Sequence, residues 1–437
     1  MRKTLKKLPA LLIIIVLLLP ATTVKAEIPQ ITGSAAIAFD METEELIFTK
    51  DIDKKVYPAS ITKLLTALVF SDHYSSRKTE YLAYPQEGKL VEPFAIYWNL
   101  KNIPVGTEIP ADDIMHALLL ASLNDASTVI ALNISETEAD FVKLMNEKAK
   151  ELGMMNSNFV TTSGLHDDNH YTTAYDLMLL LKAAYNDPWI RAVSMKQSYE
   201  MKSKNETLGL LENRNKHIGL LGNIMGKTGY TGEAGRCFAG VYERDGKTIG
   251  NIILNSTDDR VNLLVFEETE SMVNAAFEEE KIIKLSKSEE VGVITISYRP
   301  YKFIGPTREI EVPVKSADTI SVYGNDVNLS EADIEFSYLD LSAGEIKENS
   351  VVGTASIQER RVTKNVDLLS TLDVEDKILK THLLSYILIV FFTVTFVVLL
   401  LFLTISKRRK KAARRRRIEA ARRSNKYVDD SKRNRFK

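Results

Sequence analysis

Two stretches of this 437-residue chain are apolar almost without interruption, one near each end. Residues 8–19 follow the basic start MRKTLKK and precede Val24-Lys25-Ala26. Basic, apolar and small-residue parts in that order predict a secretory signal over residues 1–26, cleaved after Ala26; the alternative is an uncleaved anchor helix. Residues 383–405 (LLSYILIVFFTVTFVVLLLFLTI) run for 23 positions without a charge. At about 1.5 Å per helical residue they are long enough to cross an apolar core of about 30 Å, so a single membrane span is expected there.

Between these ends the period of the pattern changes. Residues 34–50 alternate around the polar turn 42–45 and predict a β-hairpin. Helical spacing begins at Ser60 and recurs over 113–131, 138–152 and 173–185, after which 236–256 reads as strand, turn at Asp245-Gly246, and strand. Strands at both ends with helices between them predict an α/β sandwich, an antiparallel sheet covered by helices. The charge-dense stretch 278–290 marks a boundary. Beyond it, short β-like runs at 291–297, 310–314, 320–323, 334–338 and 351–357, punctuated by Gly, Pro, Asn and Asp, predict a small all-β domain. The expected organisation is a signal (1–26), a catalytic domain (27–280), the all-β domain (288–375), the span (383–405) and a basic tail (406–437).

The composition is ordinary for globular chains, 45% hydrophobic and 26% charged, and excludes collagen-like and wholly disordered classes. The net charge of −1 conceals a separation of signs. Residues 27–406 hold 36 of the 57 lysines and arginines against 55 of the 58 acids, a net of about −19 that excludes nucleic acid as a partner of this region. Eleven of residues 407–423 are Lys or Arg, which by the positive-inside rule predicts a cytoplasmic tail and an extracellular location for 27–380. A lipid anchor replacing the apolar tail is excluded by the 32 residues that follow the span. Juxtamembrane bases predict anionic lipid headgroups, rather than RNA or DNA, as the partner of the tail. The single cysteine, Cys237, permits neither an intramolecular disulfide nor a cysteine-based zinc site, and in a predicted strand it reads as a small buried hydrophobe.

Three short motifs occur in order: Ser60-Ile61-Thr62-Lys63 opening a helix, Ser122-Leu123-Asn124 ending an apolar helical run, and Lys227-Thr228-Gly229 preceding a strand. Each is weak alone, since the chain also contains an SxxK at 75–78 and an SxN at 203–205. Context separates Ser60 from its decoy: Pro58-Ala59 precedes it and a buried helix follows it. A serine at a helix start faces unpaired backbone N–H groups that can meet a developing anion, and Lys63 lies one turn on, on the same face. Desolvated and beside other cations, that lysine would have a depressed pKa and take the serine proton. The blander alternative is an N-cap serine with a solvated lysine. Among the six histidines only His166 and His170 stand four apart; their polar setting, HDDNH, predicts solvated side chains rather than a zinc site. No metal and no cofactor are expected.

The stretches PASITKLLTAL, LLLASLNDAS, MNEKAKELGMMNSNFVTTSGL and GKTGYTGEAGRCFAG resemble the low-molecular-mass penicillin-binding proteins, the serine D-alanyl-D-alanine carboxypeptidases of peptidase family S11. The likeness runs from about residue 34 to 276, with a looser one in VVGTASIQERRVTKNVDLL to the family's C-terminal domain. It implies a β-lactamase/transpeptidase-like fold and a hydrolase that trims the terminal D-Ala from peptidoglycan pentapeptides, with β-lactam antibiotics as covalent inhibitors. By that resemblance Ser60 is the nucleophile, Lys63 its base, and Ser122 a proton relay to the leaving amine. It also implies that Asn124 holds the substrate amide, Lys227 completes the polar network and Thr228 binds the terminal carboxylate. Tyr230, the residue after Gly229, is implied to share the oxyanion hole through its N–H with that of Ser60; Arg260 is either a second carboxylate ligand or a surface arginine. Two departures stand out: Leu123, where many of these carboxypeptidases have Gly, is expected to alter access or the fate of the acyl-enzyme, and a spanning helix replaces the usual amphipathic anchor.

Two other activities compete. One is a D,D-endopeptidase; a class A β-lactamase ranks lower because no Glu-x-x-Leu-Asn stretch is present to supply its deacylating carboxylate. The other is a penicillin-binding sensor without turnover, disfavoured by a tail with no room for a folded signalling domain.

Overall fold

A computed structural model describes residues 29–91, 102–259, 261, 263–301 and 305–433. The expected signal at 1–26 lies outside the described residues, as does Arg260.

The predicted hairpin forms from β1 (Ala35–Asp40) and β2 (Leu46–Lys50), and the predicted strand pair from β4 (Gly235–Arg244) and β5 (Lys247–Ser256), turning at Asp245-Gly246. With β3 (Asn223–Thr231) they make one antiparallel sheet in the order β2-β1-β5-β4-β3. Successive residues point to opposite faces of a strand, and here both faces are covered. Ile37, Phe39, Ala239, Val241 and Ile252 join a core with helices α1 (Lys63–Tyr74), α2 (Ala111–Leu119), α3 (Asn124–Ile134), α4 (Glu138–Glu151) and α5 (Ala174–Asn186). Ala36, Ala38, Phe238, Tyr242 and Ile253 pack on the other side against α6 (Leu264–Glu278). The result is the expected α/β sandwich. Thr137 and Thr173 start α4 and α5 by accepting the backbone N–H of Asp140 and Asp176, N-caps of the ordinary kind.

Two expectations are corrected. Lys227-Thr228-Gly229 lies inside edge strand β3 rather than before a strand. The apolar run 113–131 is not one helix: it breaks into α2 and α3 at Leu120–Leu123, where Ser122 adopts φ +60°. Apolar spacing continues across the break because Leu123 itself is fully buried in the core.

By compactness the chain forms two units. The first, 1–285 with 319–335 and 356–365, holds the sandwich together with β6 (Lys281–Leu285), which pairs with β9 (Ile320–Tyr323). The second, 286–318 with 336–355 and 366–437, is built on antiparallel β7 (Glu290–Tyr298) and β8 (Arg308–Ser316). The second five-stranded sheet runs β7-β8-β12-β11-β10, with β10 (Ile334–Tyr338), β11 (Val351–Glu359) and β12 (Val362–Ser370). The expected span lies inside a longer helix, α7 (Val374–Arg433). Among the described residues one helix is long and apolar enough to cross a membrane, and it is this one, with a mean hydropathy of 3.0 in its most apolar stretch.

Candidate active site

Ser60 sits in a single 3-10 turn, Ala59–Thr62, that leads directly into α1. Ala59 has φ +47°, a left-handed conformation that costs a non-glycine residue energy and is held by what surrounds it. The surroundings are two backbones. At Gly164 (φ +81°) an added Cβ would come 1.9 Å from the Ala59 carbonyl oxygen, and at Gly229 one would lie 2.9 Å from the Pro58 oxygen and 3.2 Å from the Ser60 nitrogen. Only residues without a Cβ let these segments approach so closely, and the edge strand β3 is thereby pressed against the turn that carries Ser60.

Lys63 is fully buried at the start of α1. Its Nζ lies 2.8 Å from Ser60 Oγ, 2.7 Å from Asn124 Oδ1 and 2.8 Å from the Ser163 carbonyl oxygen. Burial, and then the positive charge of Arg214, hold its pKa well below that of an ordinary lysine, against a smaller opposing effect of Asp125. Two of its partners are carbonyl oxygens that only accept; as the neutral amine Lys63 would spend both N–H bonds on them and keep its lone pair for the Ser60 hydroxyl proton.

Ser122, at the helix break, and Asn124, the first residue of α3, are also buried. Lys227 Nζ donates to Ser122 Oγ at 2.7 Å and to the Thr228 carbonyl at 3.0 Å. Burial first, then the charges of Lys63 and Arg214, push its pKa well down too. Three cationic groups close together each make the others harder to charge. Tyr230 is 37% exposed; its hydroxyl donates to Asp258 at 3.0 Å, and the Arg236 guanidinium lies 3.9 Å from the Tyr230 ring centre while also pairing with Asp258 at 2.8 Å. The structure thus joins Ser60, Lys63 and Asn124 in one hydrogen-bonded group and Lys227 with Ser122 in another, with Thr228, Gly229 and Tyr230 along β3. The decoys stay apart: Ser75 caps the far end of α1, and Ser203 Oγ donates to the Glu206 carbonyl in a surface turn.

The residue patterns did not single out Arg214 or Ser163. Ser163 acts through its carbonyl, which any residue has, so its side chain gives no signal. His170 corrects the expectation of a solvated histidine: it is 2% exposed, its Nε2 lies 2.8 Å from Thr62 Oγ1 and its Nδ1 accepts the backbone N–H groups of Val160 and Thr161. An Nδ1 that accepts fixes the neutral tautomer, and burial pulls the pKa down to about 4. His170 therefore braces the segment that offers the Ser163 carbonyl to Lys63. Cys237 is buried as expected, with its thiol pushed up to about 12 by desolvation. Among the described residues no three His, Cys, Asp or Glu side chains gather as a metal site.

Known proteins share this framework. Residues 21–258 match the family described as D-alanyl-D-alanine carboxypeptidase, peptidase S11. The chain is 25% identical over 333 residues to the D-alanyl-D-alanine carboxypeptidase DacF of Bacillus subtilis, covering 75% of this chain and 82% of that one. It is 31% identical over 225 residues to a D-alanyl-D-alanine endopeptidase of Pseudomonas aeruginosa, covering 49% of this chain and 69% of that one. Its fold is similar to the crystal structure of the carboxypeptidase DacD from Francisella tularensis, with a TM-score of 0.58 at 18% identity over 80% of this chain and 95% of that one. A helix-covered antiparallel sheet with a buried lysine on a helix-start serine defines the class, the serine enzymes of acyl transfer. Within that class the chain belongs to the D-alanyl-D-alanine carboxypeptidase family, peptidase S11.

Proposed function

We propose that this protein removes the terminal D-Ala from peptidoglycan stem peptides through an acyl-enzyme on Ser60. The observation that carries the reading is the 2.8 Å contact between Ser60 Oγ and the Nζ of a buried Lys63 whose other contacts are to two carbonyl oxygens. As Oγ attacks the penultimate D-Ala carbonyl, the proton passes to Nζ and the developing oxyanion is met by the backbone N–H groups of Ser60 and Tyr230. Collapse of the adduct breaks the amide bond, and Ser122, held by Lys227, passes a proton to the departing D-Ala amine. Asn124 orients the substrate amide, while Thr228, with Arg260, binds the terminal carboxylate. Water then attacks the ester under the same lysine and frees Ser60. β-Lactams acylate the same serine, but the ring-opened leaving group stays attached. No cofactor takes part.

The domain reading is a catalytic domain (27–280) and an all-β pedestal (288–375), tethered by one pass through the cell membrane at 383–405, with the catalytic side extracellular and the basic tail on anionic lipid in the cytoplasm. The relative named as an endopeptidase supports a second reading, cleavage within cross-linked peptides at the same serine. The deciding experiment incubates the enzyme with a pentapeptide ending in D-Ala-D-Ala and with benzylpenicillin. Expected are free D-Ala and one penicillin adduct mapped to Ser60. An adduct that survives Ser60→Ala, or maps to Ser75, overturns the assignment, and binding of penicillin without D-Ala release supports a sensor.

A further inference from the structure

Beside the end of β7 the second unit carries an open cleft of about 970 Å³, the upper end of the size range for small-molecule sites. One wall is Tyr298, Arg299 and Tyr301; the other is Glu375, Leu379 and Tyr386 from the first turns of α7. Wall and helix are fastened together. The Tyr386 hydroxyl donates to the Pro300 carbonyl at 2.6 Å, the Tyr298 hydroxyl lies 2.9 Å from Nε2 of the buried His382, and the Tyr301 and Tyr386 rings meet edge to face at 5.8 Å.

These fastenings set the height of the cleft along the helix. Taking residue 383 as the start of the apolar span and about 1.5 Å per residue, Glu375 stands about 12 Å outside the apolar core, Leu379 about 6 Å outside, and Tyr386 about 4.5 Å within it. Polar headgroup layers occupy roughly 5–7 Å on each side of the apolar core. The cleft therefore opens at headgroup depth, on the side of the span away from the basic tail. Its chemistry suits that layer: tyrosines have an apolar body and a polar tip, and an arginine fork matches the oxygens of a phosphate. The one carboxylate in the walls, Glu375, is answered by Lys347 at 2.9 Å.

We propose that this cleft holds the headgroup of a membrane phospholipid, with Arg299 on the phosphate, Leu379 beside the headgroup and Tyr386 along the first methylenes of the acyl chains. The bound lipid would seat the second unit at a fixed height on the bilayer. The inference rests on residues 383–405 spanning the membrane and not on the chemistry at Ser60.

The full chain, reconstituted in vesicles of phosphatidylethanolamine and phosphatidylglycerol, is irradiated with a phospholipid carrying a photoreactive group beside its headgroup, and the labelled peptides are mapped. Labelling is expected at residues 297–301 and 375–386. It should fall about fivefold in Arg299→Gln, return in Arg299→Lys, and be unaffected in Lys377→Gln, an exposed base at the same height on α7. D-Ala release from a soluble pentapeptide should be equal in all four proteins, which also shows that they are folded. Equal losses in Arg299→Gln and Lys377→Gln, or labelling of 297–301 that does not change in Arg299→Gln, would overturn the site. Labelling abolished by soluble glycerol phosphate would overturn the lipid in favour of a free phosphate ligand. Wild type that washes off the vesicles in alkali refutes the span itself, whereas wild type retained there without label at 297–301 refutes only the cleft.

Discussion

Two clusters of buried ionisable groups lie in the first unit, and both are built on lysines. In the first, Lys63 and Lys227 are fully desolvated, and the partners found for their Nζ atoms are hydroxyl and carbonyl oxygens. In the second, Lys281 and Lys364 converge on Glu45, and Lys364 also reaches Glu359; both glutamates are buried while the lysines keep some exposure. Burial pushes the Glu45 carboxyl up, but hydrogen bonds and charge from Lys281 and Lys364 outweigh it, and the net shift is downward. The second cluster is thus charged and structural, whereas in the first burial and the neighbouring cations push both lysines toward the neutral, reactive amine. The same residue type becomes a base or a brace according to whether a carboxylate accompanies it into the interior.

The largest break in this contrast comes from the first cluster. Lys63→Ala should lower acylation by benzylpenicillin about 10²–10⁴-fold, read by intact mass against time, with the melting curve showing a folded protein. In wild type the acylation rate should rise with pH as Lys63 loses its proton, and that rise should lie well below the range of an ordinary lysine. Arg214→Gln removes a cation from beside Lys63, so the rise should move to higher pH; an unmoved profile would show that Arg214 does not act on the base.

His170 gives the next effect. Its folded pKa of about 4 lies below the ordinary 6.5, so the unfolded chain binds the extra proton first and stability falls as pH drops through that window. The loss should approach roughly 3 kcal/mol below pH 4, and denaturant melts of His170→Gln should lack that part of the acid dependence.

Glu45→Ala should cost about 1–3 kcal/mol by stranding two lysines, with kcat for D-Ala release from the folded protein unchanged; a fall in kcat would mean the two clusters are coupled. Amidating the pentapeptide's C-terminus should reduce kcat/KM about tenfold, because a charge-assisted hydrogen bond at the carboxylate is lost. Equal turnover of acid and amide would favour the endopeptidase reading. The smallest effect is none: Ser203→Ala should leave acylation intact.

Much of the first cluster was legible because its members are short-range. Ser60 and Lys63 are one helical turn apart, and Ser122 and Asn124 flank one residue. What escaped depends on distance or on backbone. Arg214 lies 151 positions from Lys63, and nothing local marks it. The break at Ser122 is imposed by the fold, since the apolar spacing of 113–131 would equally suit one helix. Strand β12 was missed because its first half is largely exposed and reads as the polar stretch VTKNVD. The second cluster was invisible for the same reason as Arg214: Glu45 and Lys364 are 319 positions apart, and charged residues in a loop-rich stretch look solvated until the fold buries them.

Cys237 gives this arrangement a built-in reporter. Its sulfur lies 3.8 Å from the Tyr57 carbonyl, three residues before Ser60, and 3.6 Å from that of Ala234. With the thiol pushed up to about 12 and sealed from solvent, a disulfide reagent finds neither thiolate nor access in the native enzyme. Modification therefore requires β4 to part from the segment leading to Ser60. The rate of thiol labelling then measures how often the floor beneath the nucleophile opens, in a chain with no other cysteine to confuse the count.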